Sequence, residues 1–360
     1  MSKPHSVRVN LAKSAQPDRR DDTRRMGLAA GDADLVARFY GLGPATGPMR
    51  PVARGELGRV WRLPTVGRVV AVKELFVPPT EDEAVADVDF QLGARRAGVL
   101  LPLPVRRTDG GVLAVLPSGV TVRVYEWMDL RPLEDPAPEP AGHHAAGPEV
   151  PTGGRRHPDE RVGAALARLH LMSRPTTEPL HPWFVDAVGE PAWAALQAAV
   201  DAARAPFAAG LARLLPELAR LEELLPCPIR GDERRCHLDL DDSNLAWDDQ
   251  GRLVILDWEN SGPASPVSEL AMVAAEYGPD RALRLCNSYR DAGGPAVLSM
   301  PADFATAVAV QGHLIEFYAR RWLTAADPED RPRSEWRMGQ QLDAPLTSAR
   351  IADVLTAVQH

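Results

Sequence analysis

Asp239 and Asn244 stand five residues apart, and Asp257 follows behind a short apolar run. Phosphoryl transfer from a nucleoside triphosphate asks for these residue types. One carboxylate orients the attacking hydroxyl and takes its proton. An amide oxygen helps to hold Mg²⁺, and a second carboxylate binds the metal that bridges the β- and γ-phosphates. Asp239 fits the first role, Asn244 the second and Asp257 the third. His237 is expected to brace the loop backbone rather than react. Taken singly, acids and asparagines gather in turns because they bond their own backbone. Taken together, the order Asp, Asn, hairpin, Asp follows the kinase template.

The elements that must position these residues are also readable. Leu245-Ala246-Trp247 and Leu253-Val254-Ile255-Leu256 flank Asp248-Asp249-Gln250-Gly251, a β-hairpin whose second strand delivers Asp257. Val162, Ala165, Leu166, Leu169 and Met172 form the stripe of an amphipathic helix. Residues 192–225 are Ala/Leu-rich and read as helices interrupted at Pro206 and Pro216, and helices resume from Glu269. Nearer the start, Val69-Val70-Ala71-Val72 is a strand, and Val112 to Leu116 and Val120 to Tyr125 make a hairpin around Pro117-Ser118-Gly119. Between them Glu81 to Ala97 reads as one helix stopped by Gly98. The fold class is α+β: a small antiparallel sheet with one helix, then a mainly helical region.

Two stretches break this order. Residues 1–30 form a basic tail, with seven Lys/Arg against three Asp/Glu up to Arg25 (7 − 3 = +4), expected to be disordered, with Met26 an alternative start. Residues 132–158 are rich in Pro, Gly and Ala and read as a flexible insertion. Its His143-His144 is either a metal pair or, in the simpler reading, a solvated one.

The run from Cys236 to Asn244, with Leu256-Asp257-Trp258-Glu259 beyond the hairpin, resembles the signature of the aminoglycoside phosphotransferase family, related in fold to the eukaryotic protein kinases. Gly262 to Ala271 is similar to the family's run after its metal-binding Asp, with Ser265-Pro266 in place of Asp-Pro and Glu269 where Asp is common. Val162 to His170 is similar to the helix before the catalytic loop. The resemblance spans about Asp32 to the C-terminus. It implies a protein-kinase-like two-lobed fold, with a nucleotide-binding lobe over 31–128 and a helical catalytic and substrate lobe over 129–360. It further implies ATP and Mg²⁺, and a small-molecule hydroxyl acceptor: an aminoglycoside, another antibiotic, or a metabolite such as homoserine or choline.

The amino-terminal region agrees. Lys73 ends Val70-Ala71-Val72-Lys73, where a phosphate-binding lysine belongs. Gly55-Glu56-Leu57-Gly58 precedes it, and Gly55 and Gly58 would let backbone N–H groups approach phosphates. A carboxylate of the helix should pair with Lys73; spacing favours Asp87, with Glu83 the rival. Glu126, Trp127 and Met128 end the second hairpin as a hinge whose backbone would hold adenine.

Several features separate small-molecule from protein kinases. Leu238 stands where an arginine would read an activation-loop phosphate, Asp257 is followed by Trp-Glu rather than Phe-Gly, and Asp241 replaces a lysine. The acceptor pocket is expected in the helical lobe, along Trp183 to Trp193 and Asn260 to Glu276. Glu259, Glu276 and Glu316 either meet a cationic substrate or are ordinary surface carboxylates. The rival functions are a pseudokinase that binds nucleotide without turnover and a kinase of peptides.

Bulk properties exclude other classes. A net charge of −8 speaks against a general nucleic-acid or anionic-membrane binder. No apolar run nears the ~20 residues of a membrane helix. Cys227, Cys236 and Cys286 have neither metal-ligand spacing nor a disulfide framework, which fits a reducing cytosol. Cys236, beside His237, is read as a buried hydrophobe rather than a nucleophile.

Overall fold

The computed structural model describes residues 27–133, 157–325, 328 and 330–359. The tail expectation up to residue 26, the alternative start at Met26 and His143-His144 lie outside the described residues. In chain order the elements are α1 (Ala33–Phe39), β1 (Arg50–Arg54), β2 (Gly58–Pro64), β3 (Val69–Leu75), α2 (Glu81–Arg96), β4 (Pro104–Val105), β5 (Ala114–Val115), β6 (Thr121–Glu126) and β7 (Arg131–Pro132). Then come α3 (Pro158–Met172), α4 (Pro182–Val185), α5 (Glu190–Ala202), α6 (Ala208–Glu222), β8 (Arg234–Cys236), β9 (Leu245–Trp247), β10 (Leu253–Ile255), β11 (Gly262–Ala264) and α7 (Pro266–Tyr277). The chain closes with α8 (Pro279–Asp291), α9 (Ala305–Thr324), α10 (Asp330–Asp343) and α11 (Ser348–Gln359).

The chain forms two compact units. One contains residues 27–133 and 239–261, the other 157–238 and 262–359. The contiguous division expected at residue 128 is thus not how the contacts group the chain. Segment 239–261 joins the sheet unit because β9 pairs with β7, and the Ile255 amide donates to the Leu100 carbonyl at 2.9 Å.

The sheet unit is built on a fully antiparallel sheet ordered β1-β2-β3-β6-β4, with β5 also on β6. Val70, Val72, Val122 and Val124 alternate into a core with Trp61, Leu63 and α1, the period-2 burial that β-branched residues favour. Between β5 and β6, Gly119 takes a φ of +81° and its amide closes on the Leu116 carbonyl at 2.8 Å. Helix α2 begins with a capping box: Thr80 Oγ1 accepts from the Glu83 amide while Glu83 Oε2 accepts from the Thr80 amide. Gly98, at a φ of +83°, ends it as the sequence predicts.

The helical unit packs α3 on α8 at close range. A Cβ placed on Gly163 of α3 would lie 2.2 Å from the Leu285 carbonyl oxygen, so only glycine permits this approach. Helices α7 and α9 are buried along most of their length. Pro216 does not interrupt its helix: α6 runs through it from Ala208 to Glu222. The burial of Leu211, Leu214, Leu218 and Leu221 outweighs the missing N–H. Pro206 does fall between α5 and α6. Among the described residues no helix is long and apolar enough to cross a membrane.

Candidate active site

In the sheet unit, the loop before β9 is tied to itself. Asp241 Oδ1 accepts from the amides of Ser243 at 2.7 Å and Asn244 at 3.2 Å, capping a single helical turn. Asn244 Nδ2 donates to the carbonyl of Asp239 at 2.9 Å. That bond commits the amide nitrogen and leaves the amide oxygen as what Asn244 can offer. Both Asp239 and Asn244 are buried. The Leu256 amide donates to the Asn244 carbonyl at 2.8 Å, tying the residue before Asp257 to the loop.

The hairpin that delivers Asp257 owes its turn to Asp248, whose Oδ1 accepts from the amides of Gln250 and Arg252, and to Gly251 at a φ of +69°. Asp257 itself sits at a φ of +55°, uncommon for a residue with a side chain. The sharp turn this produces separates β10 from a short helical turn over Trp258–Asn260.

Lys73, on β3, donates to Asp257 Oδ1 at 2.7 Å and to Glu259 Oε2 at 2.8 Å. Burial raises the Asp257 carboxyl to about 7, with Lys73 pulling the other way. Burial also pushes Glu259 up, but Lys73, Asp257 and Arg123 outweigh it and hold Glu259 well below the usual carboxylate range. The two carboxylates in turn keep Lys73 protonated despite burial.

The expected pairing of Lys73 with a carboxylate of α2 is corrected here. Asp87, fully buried, accepts from Arg123 Nη1 at 3.3 Å and from Ser261 Oγ at 3.0 Å. The rival Glu83 is taken up by the cap of α2. The physical reason is Arg123: it is directly opposite Lys73 in the β3–β6 register and interposes a second cation that takes the helix carboxylate. Glu259 is likewise not a surface carboxylate, since it is 4 % exposed and bonded to Lys73. Of the other two acids suggested for a cationic substrate, Glu316 pairs with Arg320 and His313.

The glycine loop forms the β1–β2 turn, with the Gly55 amide donating to the Gly58 carbonyl at 2.9 Å. A Cβ on Gly58 would come within 2.6 Å of the Glu74 carbonyl oxygen, whereas one on Gly55 meets nothing closer than 3.8 Å. Gly58 is therefore required by backbone approach to β3, and Gly55 is not. At the end of β6, the Glu126 amide donates to the Leu103 carbonyl at 2.8 Å, and Trp127 Nε1 donates to Asp129 Oδ1 at 2.8 Å. Met128 follows, partly buried.

In the helical unit, His237 is fully buried at the end of β8. Leu238 holds a φ of +63° and donates its amide to Glu269 Oε1 at 2.6 Å. Glu269 Oε2 lies 2.7 Å from His170 Nε2, and His170 Nδ1 lies 2.7 Å from the Tyr289 hydroxyl. With Cys236, His170 and Glu269 place ligand atoms within 4.8 Å of one another. Both ring nitrogens and both carboxylate oxygens are already engaged, and Cys236 donates to the Ala264 carbonyl. Burial and the Glu269 charge push that thiol well up, which suits a buried hydrophobe and not a nucleophile.

Sequence reasoning passed over Arg123, Tyr125 as a hydrogen-bond donor, Glu259 as a partner of Lys73, and the pair His170–Tyr289. Arg123 had a signal: an arginine inside the apolar alternation Val122-Arg123-Val124 of a strand buried on both faces.

The family model described as "Phosphotransferase enzyme family" matches residues 48–307. Comparison with curated protein sequences gives no match. Among solved structures, a spectinomycin phosphotransferase, APH(9)-Ia, in complex with ADP and spectinomycin, aligns with a TM-score of 0.61 at 12% identity, covering 92% of this chain and 98% of its own. The amicoumacin kinase hAmiN, in complex with AMP-PNP, Ca²⁺ and amicoumacin, aligns with a TM-score of 0.52 at 14% identity, covering 87% and 93%. At these identities the likeness concerns the fold, a kinase-like sheet followed by helices.

Proposed function

The chain belongs to the phosphotransferase enzyme family, and on that premise we propose that it transfers the γ-phosphate of ATP to a hydroxyl of a small molecule. The observation that carries this reading is Lys73 Nζ held 2.7 Å from Asp257 Oδ1, in the same unit as Asn244 locked to Asp239. A lysine at a strand end is ordinarily solvated; a lysine held between a buried carboxylate and a partly exposed one is a cation kept for a ligand of opposite charge. The donor set of Asn244 and Asp257 is hard oxygen, the chemistry that suits Mg²⁺. Bound there, Mg²⁺ would neutralise charge on the β- and γ-phosphates.

Lys73 holds the phosphates, and the hinge backbone at Glu126, Trp127 and Met128 holds the adenine. The turn from Gly55 to Gly58 covers the triphosphate. Asp239 orients the acceptor hydroxyl and accepts its proton as the new O–P bond forms and the bond to the leaving ADP oxygen breaks. His237 braces the loop that carries Asp239. The ligands of the two neighbours make antibiotics, spectinomycin among them, the acceptor class to try first.

The experiment is a melting curve with and without Mg·ATP, for wild type and Asp257→Ala, since a ligand of the folded state raises the transition. A rise in wild type that disappears in the variant supports the reading, and screening of hydroxyl acceptors with labelled ATP follows. No rise with ATP or GTP sinks it.

A further inference from the structure

Two cations face each other across adjacent strands here, since Lys73 of β3 is the direct partner of Arg123 on β6. Like charges so placed repel, and Arg123 is 1 % exposed and cannot lose its proton. Such a pair persists only inside a set of anions, and three carboxylates supply it: Asp87 from α2, and Asp257 and Glu259 from the turn after β10. Each carboxylate has a separate task. Asp87 lies 3.3 Å from Arg123 Nη1. Glu259 divides its oxygens: Oε2 accepts from Lys73 at 2.8 Å, while Oε1 accepts from the Tyr125 hydroxyl at 3.1 Å and lies 3.9 Å from Arg123 Nη1. Asp257, at 33 % side-chain exposure, is the most open of the carboxylates in contact with Lys73.

We propose that Glu259 is the positioning residue for Lys73, performing the task that the kinase template gives to a helix carboxylate, while Arg123 and Tyr125 fix Glu259 in place. Asp257 is the poorer candidate for the permanent anchor, because it is the more exposed of the two and, with Asn244, would be the residue to hold a metal. Glu259 is buried and braced on its far oxygen, so it would hold the ammonium whatever Asp257 binds. Helix α2 then acts on Lys73 at one remove, through Asp87 and Arg123. This inference rests on the nucleotide-binding reading above, but its first readout does not.

The chain has three lysines, Lys3, Lys13 and Lys73, so a full-length sample labelled with ¹³C-lysine gives Lys73 one of three Cε–Hε signals. The signal is followed in wild type, Glu259→Gln and Glu259→Asp, free and with Mg·AMP-PNP, and affinity for Mg·AMP-PNP is measured by calorimetry. The expected result is a displaced Lys73 signal in free Glu259→Gln and nucleotide affinity at least tenfold weaker. Glu259→Asp keeps the charge beside Arg123 but is one methylene shorter; it should fold and still lose affinity several-fold, and it decides the matter if the Gln variant does not fold. A Lys73 signal that stays put in the variants overturns the proposal, even with affinity lost, since Glu259 then serves the metal. A displaced signal with unchanged affinity overturns it too. If wild type binds no nucleotide, the phosphotransferase reading falls; the free Lys73 signal then decides the anchor alone, displaced supporting it and unmoved overturning it.

Discussion

Leu238 is held in a left-handed conformation by a hydrogen bond from its own amide to Glu269. A leucine at positive φ is strained by ~1–2 kcal/mol, and the strain falls on the residue before Asp239. A buried carboxylate accepting at 2.6 Å can hold that backbone, and His170 and Tyr289 fix the carboxylate in turn. Glu269→Ala would remove the acceptor and leave His170 and the Leu238 amide without it. The expected loss is about 3 kcal/mol of unfolding free energy, read by urea denaturation. Glu269→Asp should recover part of it, because the shorter side chain reaches one partner and not both.

The same carboxylate predicts a pH dependence. Burial pushes Glu269 up, but the hydrogen bond and charge of His170 outweigh it, so its carboxyl sits below the ordinary value of 4.5. A depressed acid adds stability that is present above its unfolded value and is lost as pH falls through its folded one. The melting-temperature gap between wild type and Glu269→Gln should therefore narrow as pH falls below about 4.5. A gap that widens below pH 4.5 would contradict the assignment.

The difference between what was legible in the sequence and what was not follows from how local each feature is. The capping box at Thr80, the stop at Gly98 and the hairpin turn at Asp248 to Gly251 are set by residues within a few positions of each other, and the order Asp239, Asn244, Asp257 by one loop and the hairpin that follows it. The family fold was legible for that reason. The partner of Lys73 was not, because template spacing along α2 pointed to Asp87, and nothing local says that Arg123, far along the chain, takes that carboxylate. Glu259 escaped because an acid two residues past Asp257 looks like any turn carboxylate until its burial is known. Pro216 misled because a proline's local penalty was weighed without the four leucines that bury α6.

The contact between α3 and α8 depends on the absence of a single carbon. Gly163→Ala would place Cβ 2.2 Å from the Leu285 oxygen and 3.0 Å from the Tyr289 nitrogen, both backbone atoms that cannot rotate aside. The gain of ~1 kcal/mol from helix propensity is smaller than the overpacking penalty of roughly 1–3 kcal/mol, occasionally more. The variant should melt below wild type. Because Tyr289 touches His170, it should also disturb the support of Leu238, visible as lost transferase activity at a temperature where the chain remains folded.

Asp239→Ala separates chemistry from binding. The carboxylate is buried in a loop whose shape is held by the Asn244 side chain on the Asp239 carbonyl, a backbone group that the substitution leaves intact. The fold and the Mg·ATP thermal shift should persist, while phosphate transfer falls by at least ~100-fold, the scale of a positioned acid–base group. Turnover that survives would remove Asp239 from its role.

Lys73→Arg asks whether charge or shape matters in the Asp257–Glu259 site. The chain is rich in arginine and has three lysines, so a lysine here is not the default cation of the sequence. An ammonium is a compact charge with three rotatable donors, and it reaches oxygens of two carboxylates at 2.7 and 2.8 Å. A guanidinium is planar and wider, prefers two oxygens of one carboxylate, and would enter a space where Arg123 already lies within 3.9 Å of Glu259. Charge balance is preserved, so stability should fall by less than in Lys73→Ala. Nucleotide affinity should fall in both, because a fork bound to Glu259 points no donor at a phosphate. Calorimetry of both variants with Mg·AMP-PNP checks this, and wild-type affinity in Lys73→Arg would show that only the charge at this position is used.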